Sequence, residues 1–453
     1  MGKKKDVIIK ILVEISRIIL GVTFIFSGFV KAVDPFGTAY KIEDYFAAFN
    51  LTSLSFLSMT GSVLQSVVEF AMGACMLFGL YRKWNSRLML LVMVFMTGLT
   101  LYLAITDPVE DCGCFGDALI ITNWQTFYKN IVLLICSVIV FLYCERISNW
   151  FTGKTYWLAF LYIFIFIGLF TFRNYLYDPL FDFRPYKIGA NLPKLMSVES
   201  GKGREEKTVL VYAKDGVEKE FTEDNYPWED STWVFVRMDN HVIQEGEKPV
   251  INDFSINKLV FNSDRTEVET QLDITQEVLS DSNYVFLMIT PSLINMSDSY
   301  LSRFEDIENY AKDHNYHFFC VTASPTDEIM KWSKENTINF DFCTADGRML
   351  KTVIRSNPAL ILLKEGIVVN KWADIDVPAE EYLTKPLTNL PYGQMIDTKA
   401  EDKKNLIAVC VAFFLPLLFL KGLDFLFFRK MKKEAIAEKE NEEEIKEIGR
   451  AHV

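Results

Sequence analysis

The sequence predicts an integral membrane protein: an α-helical bundle at the N-terminal end, a soluble α/β region after it, and a final membrane anchor. Three observations predict this. Apolar residues gather into long runs before residue 174 and after residue 404, and roughly 18 or more mostly apolar residues suffice to cross the hydrocarbon core. Between those limits the chain has a soluble protein's mixture of charge and alternation. Basic residues also flank the apolar runs in a pattern that orients all of them consistently in a bilayer.

The first of six expected spans runs from about Ile11 to Val33, with Lys10, Glu14 and Arg17 at one end. Lys3, Lys4 and Lys5 ahead of an apolar stretch also suit a cleaved signal peptide. No small-x-small cleavage site follows, however, and the topology needs this helix retained. Lys41–Phe56, rich in Phe and Tyr, reads as an amphipathic stretch at the interface. Spans two and three cover Leu57–Leu80 and Leu88–Ile105, separated by the basic turn Tyr81–Arg87. Spans four and five cover Trp124–Tyr143 and Tyr156–Phe172. The sixth, Asn405–Phe428, is broken by Pro416, which a membrane helix tolerates if neighbours satisfy the freed carbonyl.

With six spans, Lys3–Lys5, Arg82/Lys83/Arg87, Arg146/Lys154 and Arg429–Lys433 share one side. The positive-inside bias makes that side cytoplasmic. Asp34, Glu43, Asp44, Asp107, Glu110, Asp111 and Asp117 fall opposite. Both termini are then cytoplasmic and the soluble region extracytoplasmic. The domains expected are a four-span module at 1–145, a fifth span at 146–173, a β-rich region at 174–283, an α/β domain at 284–404, the sixth span at 405–428 and a charged cytoplasmic tail at 429–453. In that tail, Glu434–Arg450 mixes Glu and Lys as a solvated helix or a disordered segment does.

Within the β-rich region, Thr208–Tyr212 and Thr232–Val236 are runs of strand formers, with Lys214-Asp215-Gly216 between them as turn chemistry. From Tyr284 the pattern alternates: strand Val285–Ile289, helix Ser299–His314, strand His317–Val321, helix Thr326–Asn336. A hairpin of Ala359–Leu363 and Ile367–Val369 over Lys364-Glu365-Gly366 closes it. Alternating strands and helices argue for a βαβ unit closed by antiparallel strands.

A net charge of −12, with no basic stripe outside the membrane flanks, excludes a nucleic-acid partner, since phosphate binding needs clustered Lys and Arg. Eight cysteines are too few for a disulfide-dense secreted scaffold. Their placement says more. Asp111-Cys112-Gly113-Cys114-Phe115-Gly116-Asp117 lies between spans three and four, on the side where disulfides persist. Two cysteines one residue apart can come within bridging range, because successive Cα atoms are about 3.8 Å apart. The small ring so closed is easily reduced, and glycine permits its backbone angles. Acidic neighbours act against reactivity by raising a thiol pKa. Besides redox activity, a static disulfide staple and a metal site are open. No His lies near the pair, the four being His241, His314, His317 and His452.

Within the spans, Arg17, Lys31 and Glu69 stand out because ionisable groups there are costly and usually paired. Arg17 and Glu69, on different helices, are candidates for an intramembrane polar pair that fixes helix packing or serves a quinone or a proton. Gly21, Gly28 and Gly73 suit close helix contact. Cys75, Cys136, Cys144 and Cys410 are expected to pack as small apolar groups, and Cys320 and Cys343 to be buried and inert.

Arg17-x3-Gly21-x2-Phe24-x2-Ser27-Gly28-x2-Lys31-x2-Asp34-Pro35 resembles the opening of the DoxX-like membrane proteins, and Glu69-x3-Gly73 fits the same pattern. The Asp111–Asp117 loop, with Trp124 and Asn130 after it, is similar to the methylamine-utilisation MauE branch. The resemblance covers about residues 8–145. It implies a four-helix module of a bacterial inner membrane associated with thiol oxidation or electron transfer, in that branch the maturation of a disulfide-rich periplasmic enzyme subunit. The two added spans and the soluble insert depart from that pattern. Residues 284–375 are similar to a thioredoxin-like domain of the periplasmic type. Arg355-Ser356-Asn357-Pro358 stands where that fold carries its cis-proline, and Ile188–Pro193 resembles its lead-in. Where its Cys-x-x-Cys would follow the first buried strand, this chain has Thr290-Pro291-Ser292-Leu293.

These readings favour a membrane thiol-redox protein. Cys112 and Cys114 would cycle, exchanging electrons with an extracytoplasmic protein partner and a membrane quinone. The alternative is a non-catalytic scaffold or assembly factor, lipid-embedded, whose thioredoxin-like domain docks a partner in a groove at Pro358. A transporter lacks support, because no inverted repeat is visible.

Overall fold

The computed structural model describes residues 2–109, 111–152, 155–198, 205–214, 217–222, 232–244, 246, 249–262 and 264–451. Glu110, Lys154, Asp215, Gly216 and His452, named above, lie outside them. The chain divides into two compact units, Met1–Arg184 with Asp397–Val453, and Pro185–Ile396.

The first unit is helical. Its elements are α1 (Gly2–Val33), α2 (Pro35–Ala48), α3 (Ser58–Phe78), α4 (Arg82–Thr106), α5 (Asn123–Leu142) and α6 (Tyr156–Leu176). Local chemistry sets the boundaries. Asp34 ends α1 and caps α2, its carboxylate accepting from the Gly37 amide at 2.9 Å with Pro35 at the first helical position. Gly79, at φ +69°, terminates α3 in the left-handed region. Thr122 and Gln125 form a reciprocal capping box at the start of α5. The basic turn expected at Tyr81–Arg87 is shorter than predicted: Arg82 already begins α4, so its cations line a helix start. The amphipathic stretch becomes α2 followed by a 3-10 turn at Thr52–Leu57.

Among the described residues, Thr52–Phe78, Arg82–Thr106, Asn123–Leu142, Tyr156–Leu176 and Thr398–Phe427 are helices long and apolar enough to cross a membrane. The chain is a multi-pass membrane protein. The 32-residue α1 packs with them, burying Val13, Leu20 and Phe24 among residues of α3, α4 and α5.

Packing of α1 on α3 is unusually close, and three glycines allow it. A Cβ on Gly28 would stand 2.3 Å from the Phe70 amide nitrogen, and one on Gly73 2.6 Å from that of Ile25. Gly21 faces Leu77 in the same way, at 2.5 Å. Small residues at such crossings let backbones approach where lipid supplies no hydrophobic drive.

The second unit carries two sheets. β1 (Glu205–Lys214), β2 (Val217–Thr222) and β3 (Val234–Gln244) form an antiparallel sheet in the order β2-β1-β3, after a short α7 (Leu192–Met196). The larger sheet uses β4 (Asn257–Phe261), β5 (Val268–Asp273), β6 (Tyr284–Thr290), β7 (His317–Thr322), β8 (Phe342–Thr344), β9 (Ala359–Lys364) and β10 (Ile367–Ala373). Its order is β10-β9-β6-β7-β8-β4-β5, with β6, β7 and β8 parallel and the other pairings antiparallel.

Both faces of this sheet are covered. Residues of α7, α8 (Thr275–Ser280) and α11 (Gly347–Val353) pack on one face, and of α9 (Leu301–Asp313) and α10 (Thr326–Asn336) on the other. β6 is buried along its whole length, Val285, Leu287 and Ile289 facing one core and Phe286 and Met288 the other. That explains its unbroken apolar run, which a strand buried on both faces requires. The division expected at 283/284 does not hold: β4 and β5 belong to the same sheet as β6–β10, because β4 pairs with β8. β8 escaped the reading because it is three residues long.

The chain ends with α12 (Thr398–Ala451), which continues through Pro416 rather than breaking there. Near its membrane-flanking end, the buried Asp424 carboxylate accepts from the Thr152 amide at 3.2 Å and from the Thr155 hydroxyl at 2.6 Å, at the start of α6. Lys421 adds an ion pair to it at 3.4 Å.

The glycine contacts make a test. Gly73→Ala should destabilise detergent-solubilised protein by about 1–3 kcal/mol through overpacking. Gly98→Ala, with nothing within 4 Å of the added carbon, should be neutral or stabilising by up to about 1 kcal/mol. Thermal unfolding of the two variants measures both.

Candidate functional site

The loop between α4 and α5 is held by contacts from three helices. At its base, Asn123 donates to the Asp107 carboxylate at 2.8 Å and to the Val109 carbonyl at 2.9 Å. Asp111 turns inward, accepting from the Gly113 amide at 2.7 Å and pairing with Lys41 of α2 at 2.8 Å. Tyr45, one turn further along α2, donates to the Cys112 carbonyl at 2.8 Å. Gly113 sits at φ +64°, a left-handed conformation that glycine adopts without cost. The ladder of fixed backbone groups folds Cys112 and Cys114 toward each other.

Their sulfurs are 3.1 Å apart as free thiols. Bond formation needs an approach of about 1 Å, to the S–S length of about 2.05 Å. Both residues are under a tenth exposed, at 7% and 9%, among Leu103, Tyr45, Met96, Leu99 and Val109. Burial of adjacent thiols makes their proton affinities unequal. Cys114 is held below the ordinary thiol range, first because Cys112 hydrogen-bonds to it, and then by the Lys129 and Lys31 cations, against burial and Glu69. Cys112 is pushed up, first by that same hydrogen bond and then by burial. Burial and the nearby thiols also raise Tyr45, keeping its phenol protonated as a donor.

The acidic residues around the cysteines therefore do not set the local field as the sequence suggested. Asp111 is neutralised by Lys41, and the charges reaching Cys114 are mainly cationic. Lys129 of α5 also lies over the Phe115 ring at 4.2 Å, and Phe115 packs on Phe26 with centroids 5.3 Å apart.

The Arg17–Glu69 pairing expected from sequence is replaced by two separate clusters. Arg17 pairs with Glu14 at 3.2 Å and donates to the Leu77 carbonyl at 3.0 Å and the Ser148 hydroxyl at 3.0 Å. Glu69 pairs instead with Lys31, at 2.6 and 2.8 Å. The physical reason is distance along α1: fourteen residues at about 1.5 Å each put Arg17 and Lys31 about 21 Å apart. Helix α3 runs alongside, with Arg17 level with Leu77 and Lys31 level with Glu69.

Ser27, four residues before Lys31 on the same face, links this cluster to the loop. Its hydroxyl is 2.7 Å from Glu69 Oε2, 2.7 Å from the Cys114 carbonyl oxygen and 3.1 Å from Lys31 Nζ. Gln65 completes the set by donating to Glu69 at 2.9 Å. The sequence reading quoted Ser27 and Lys31 within a motif but gave them no partner; their i, i+4 spacing on an apolar helix was the available signal. Tyr45, Lys41 and Lys129 were not singled out, and no local pattern marks them.

Of the other named cysteines, Cys75 and Cys136 are buried in the bundle, Cys144 is half-buried and Cys410 is exposed on α12. In the second unit, Cys320 and Cys343 are buried on β7 and β8, facing opposite cores. Burial raises both thiols, Cys343 to about 12. Pro358 follows a cis Asn357–Pro358 bond. Asn357 beside it accepts from the Thr290 hydroxyl at 2.7 Å and donates to the Ser292 carbonyl at 2.9 Å. The Pro358 loop and the Thr290–Leu293 segment are thus adjacent.

Residues 9–143 match the family model described as methylamine utilisation protein MauE. Residues 206–245 match one described as a domain of unknown function (DUF8463). No curated protein matches the chain. Among solved structures, the mitochondrial 2-cys peroxiredoxin from Plasmodium falciparum aligns at 12% identity over 35% of this chain and 91% of its own, with a TM-score of 0.20. So slight a likeness carries no argument. The membrane part from 9 to 143 is therefore MauE-like, and it contains every residue of the dithiol site.

Tyr45→Phe tests the loop's anchoring. Losing one donor to the Cys112 carbonyl should cost about 1 kcal/mol of stability. Cys112 should also alkylate more slowly at fixed pH, because the Tyr45 hydroxyl favours its thiolate, read by mass spectrometry of the loop peptide.

Proposed function

We propose that this chain is a membrane thiol-redox protein in which Cys112 and Cys114 alternate between dithiol and disulfide. The observation that carries the reading is the 3.1 Å separation of two buried thiols, one of them within the field of Lys129 and Lys31. A lowered thiol pKa favours the thiolate, which is the species that attacks a disulfide. The substrate class is an extracytoplasmic protein bearing a disulfide or a dithiol.

The chemistry balances as thiol–disulfide exchange. The Cys114 thiolate attacks one sulfur of a partner disulfide; that S–S bond breaks and a partner thiolate leaves, taking up a proton. Cys112 loses its proton and attacks Cys114 in the mixed disulfide. This closes the Cys112–Cys114 bond and releases the second partner sulfur as a thiol. Two electrons pass to the partner, and the reverse sequence installs a disulfide in it. A membrane quinone is a second substrate class for the reduced pair, taking two electrons and two protons to become a quinol. Phe26, 41% exposed and packed on the buried Phe115, is where such a ring would rest.

In this reading there are six spans, counting α1, with the loop and the second unit on the extracytoplasmic side of a bacterial inner membrane and both termini inside; the basic flanks support this orientation. The second unit is read as a thioredoxin-like domain without its thiols. Its support is the partial order β10-β9-β6-β7, with β6 and β7 parallel and β9 and β10 antiparallel. The Asn357–Pro358 loop, hydrogen-bonded to Thr290 and Ser292, fits the same reading. A domain with no cysteine at that position would bind an extended partner segment near Pro358 and present it.

A scaffold without redox turnover is the second reading. It is favoured by the burial of both loop thiols and by the inert Cys320 and Cys343.

Acid quenching and thiol trapping in native membranes separates the two. Redox turnover predicts a mixed population of reduced and oxidised Cys112/Cys114 that shifts on adding dithiothreitol or a quinone, and loss of function in Cys112→Ser/Cys114→Ser. A pair fixed in one state, with a functional double variant, leaves the scaffold. A membrane-impermeant maleimide applied to intact cells should reach a cysteine placed at Asp117; labelling only after lysis would reverse the orientation.

A further inference from the structure

We infer that Lys31 and Glu69, joined to the Cys114 peptide through the Ser27 hydroxyl, form a positioning cluster for the dithiol. This rests on the thiol-redox reading and names how the site manages charge.

Ser27 has one hydroxyl hydrogen, yet its oxygen is 2.7 Å from two acceptors, Glu69 Oε2 and the Cys114 carbonyl. The hydrogen serves one of them at a time, so the ion pair and the Cys114 peptide share a single donor. Lys31 Nζ, within 3.1 Å of Ser27 and 2.6 Å of Glu69, donates to both. The geometry therefore ties the Lys31–Glu69 pair to the backbone that carries the Cys114 sulfur.

A buried ion pair in a membrane unit is costly to maintain, and such residues usually face a functional partner. Here the Lys31–Glu69 pair acts on the Cys114 sulfur, Lys31 favouring the thiolate and Glu69 opposing it. Other described groups face the thiols from the neighbouring elements. Lys129 from α5 adds positive charge, Tyr45 from α2 donates, Asp111 is taken by Lys41, and Asp107 at the end of α4 is taken by Asn123.

The test is the pH profile of iodoacetamide alkylation at Cys114, in full-length detergent-solubilised protein. It is measured in a Cys112→Ser background, which keeps a hydroxyl donor, and read peptide by peptide by mass spectrometry. Lys31→Met should move the midpoint up by about one pH unit, and Glu69→Gln should move it down by a similar amount, as loss of a nearby charge does. Lys31→Arg and Glu69→Asp, which keep each charge, should stay near the parent profile. Opposite shifts of this kind are not produced by loosened packing. A profile unmoved by both neutral variants, or moved the same way by both, overturns the inference. Should Lys31→Met fail to remain monodisperse, Lys31→Gln carries the same arm. The outcome is separable from the wider reading, since native-membrane trapping reports whether the wild-type thiols cycle at all.

Discussion

Ser27, Lys31 and Glu69 can meet because α1 and α3 run almost backbone to backbone, with Gly28 against Phe70 and Gly73 against Ile25. Had either helix carried ordinary side chains along that seam, the axes would stand further apart and short Ser27 could not bridge to Glu69. In water such an ion pair would be marginal. Inside a helical membrane unit, each charge needs the other, and the carboxylate needs the further donors from Gln65 and Ser27. The seam thus fixes the electrostatics at one end of the bundle, and the dithiol loop is laid on top of it.

The loop in turn converts sequence adjacency into chemical inequality. Cys112 and Cys114 have nearly the same neighbours in sequence, yet Tyr45 and Lys41 of α2 hold one side and Ser27 and Lys129 the other. A thiol pair so divided has one sulfur prepared to lose its proton and one prepared to keep it. That division is what two-step exchange requires of a nucleophile and a resolving group.

Much of this was legible in the sequence, for reasons that differ by element. The membrane helices declared themselves by apolar length, and α9 and α10 by their alternation with strands. The Cys-Gly-Cys loop was visible because two cysteines and a glycine in three residues have few other uses. What failed was pairing across helices. Arg17 and Glu69 were matched by charge, but depth along a helix, which decides the partner, is not written in composition. The contributions of Tyr45 and Lys129 depend on how α2 and α5 are rotated, which no local pattern encodes. In the second unit β4 and β5 were missed as members of the large sheet because their partner β8 has three residues and lies about eighty positions away.

Asp424 has a consequence for how the molecule is built. The residues leading into α6 receive a carboxylate from α12, a helix synthesised only after the whole of residues 185–396. Until ribosomes finish that insert, Thr152 and Thr155 wait without it, and the helical unit stays open on one flank. Assembly in the bilayer is therefore completed last-in, so the finished bundle certifies that the long segment preceding its final helix has been made in full.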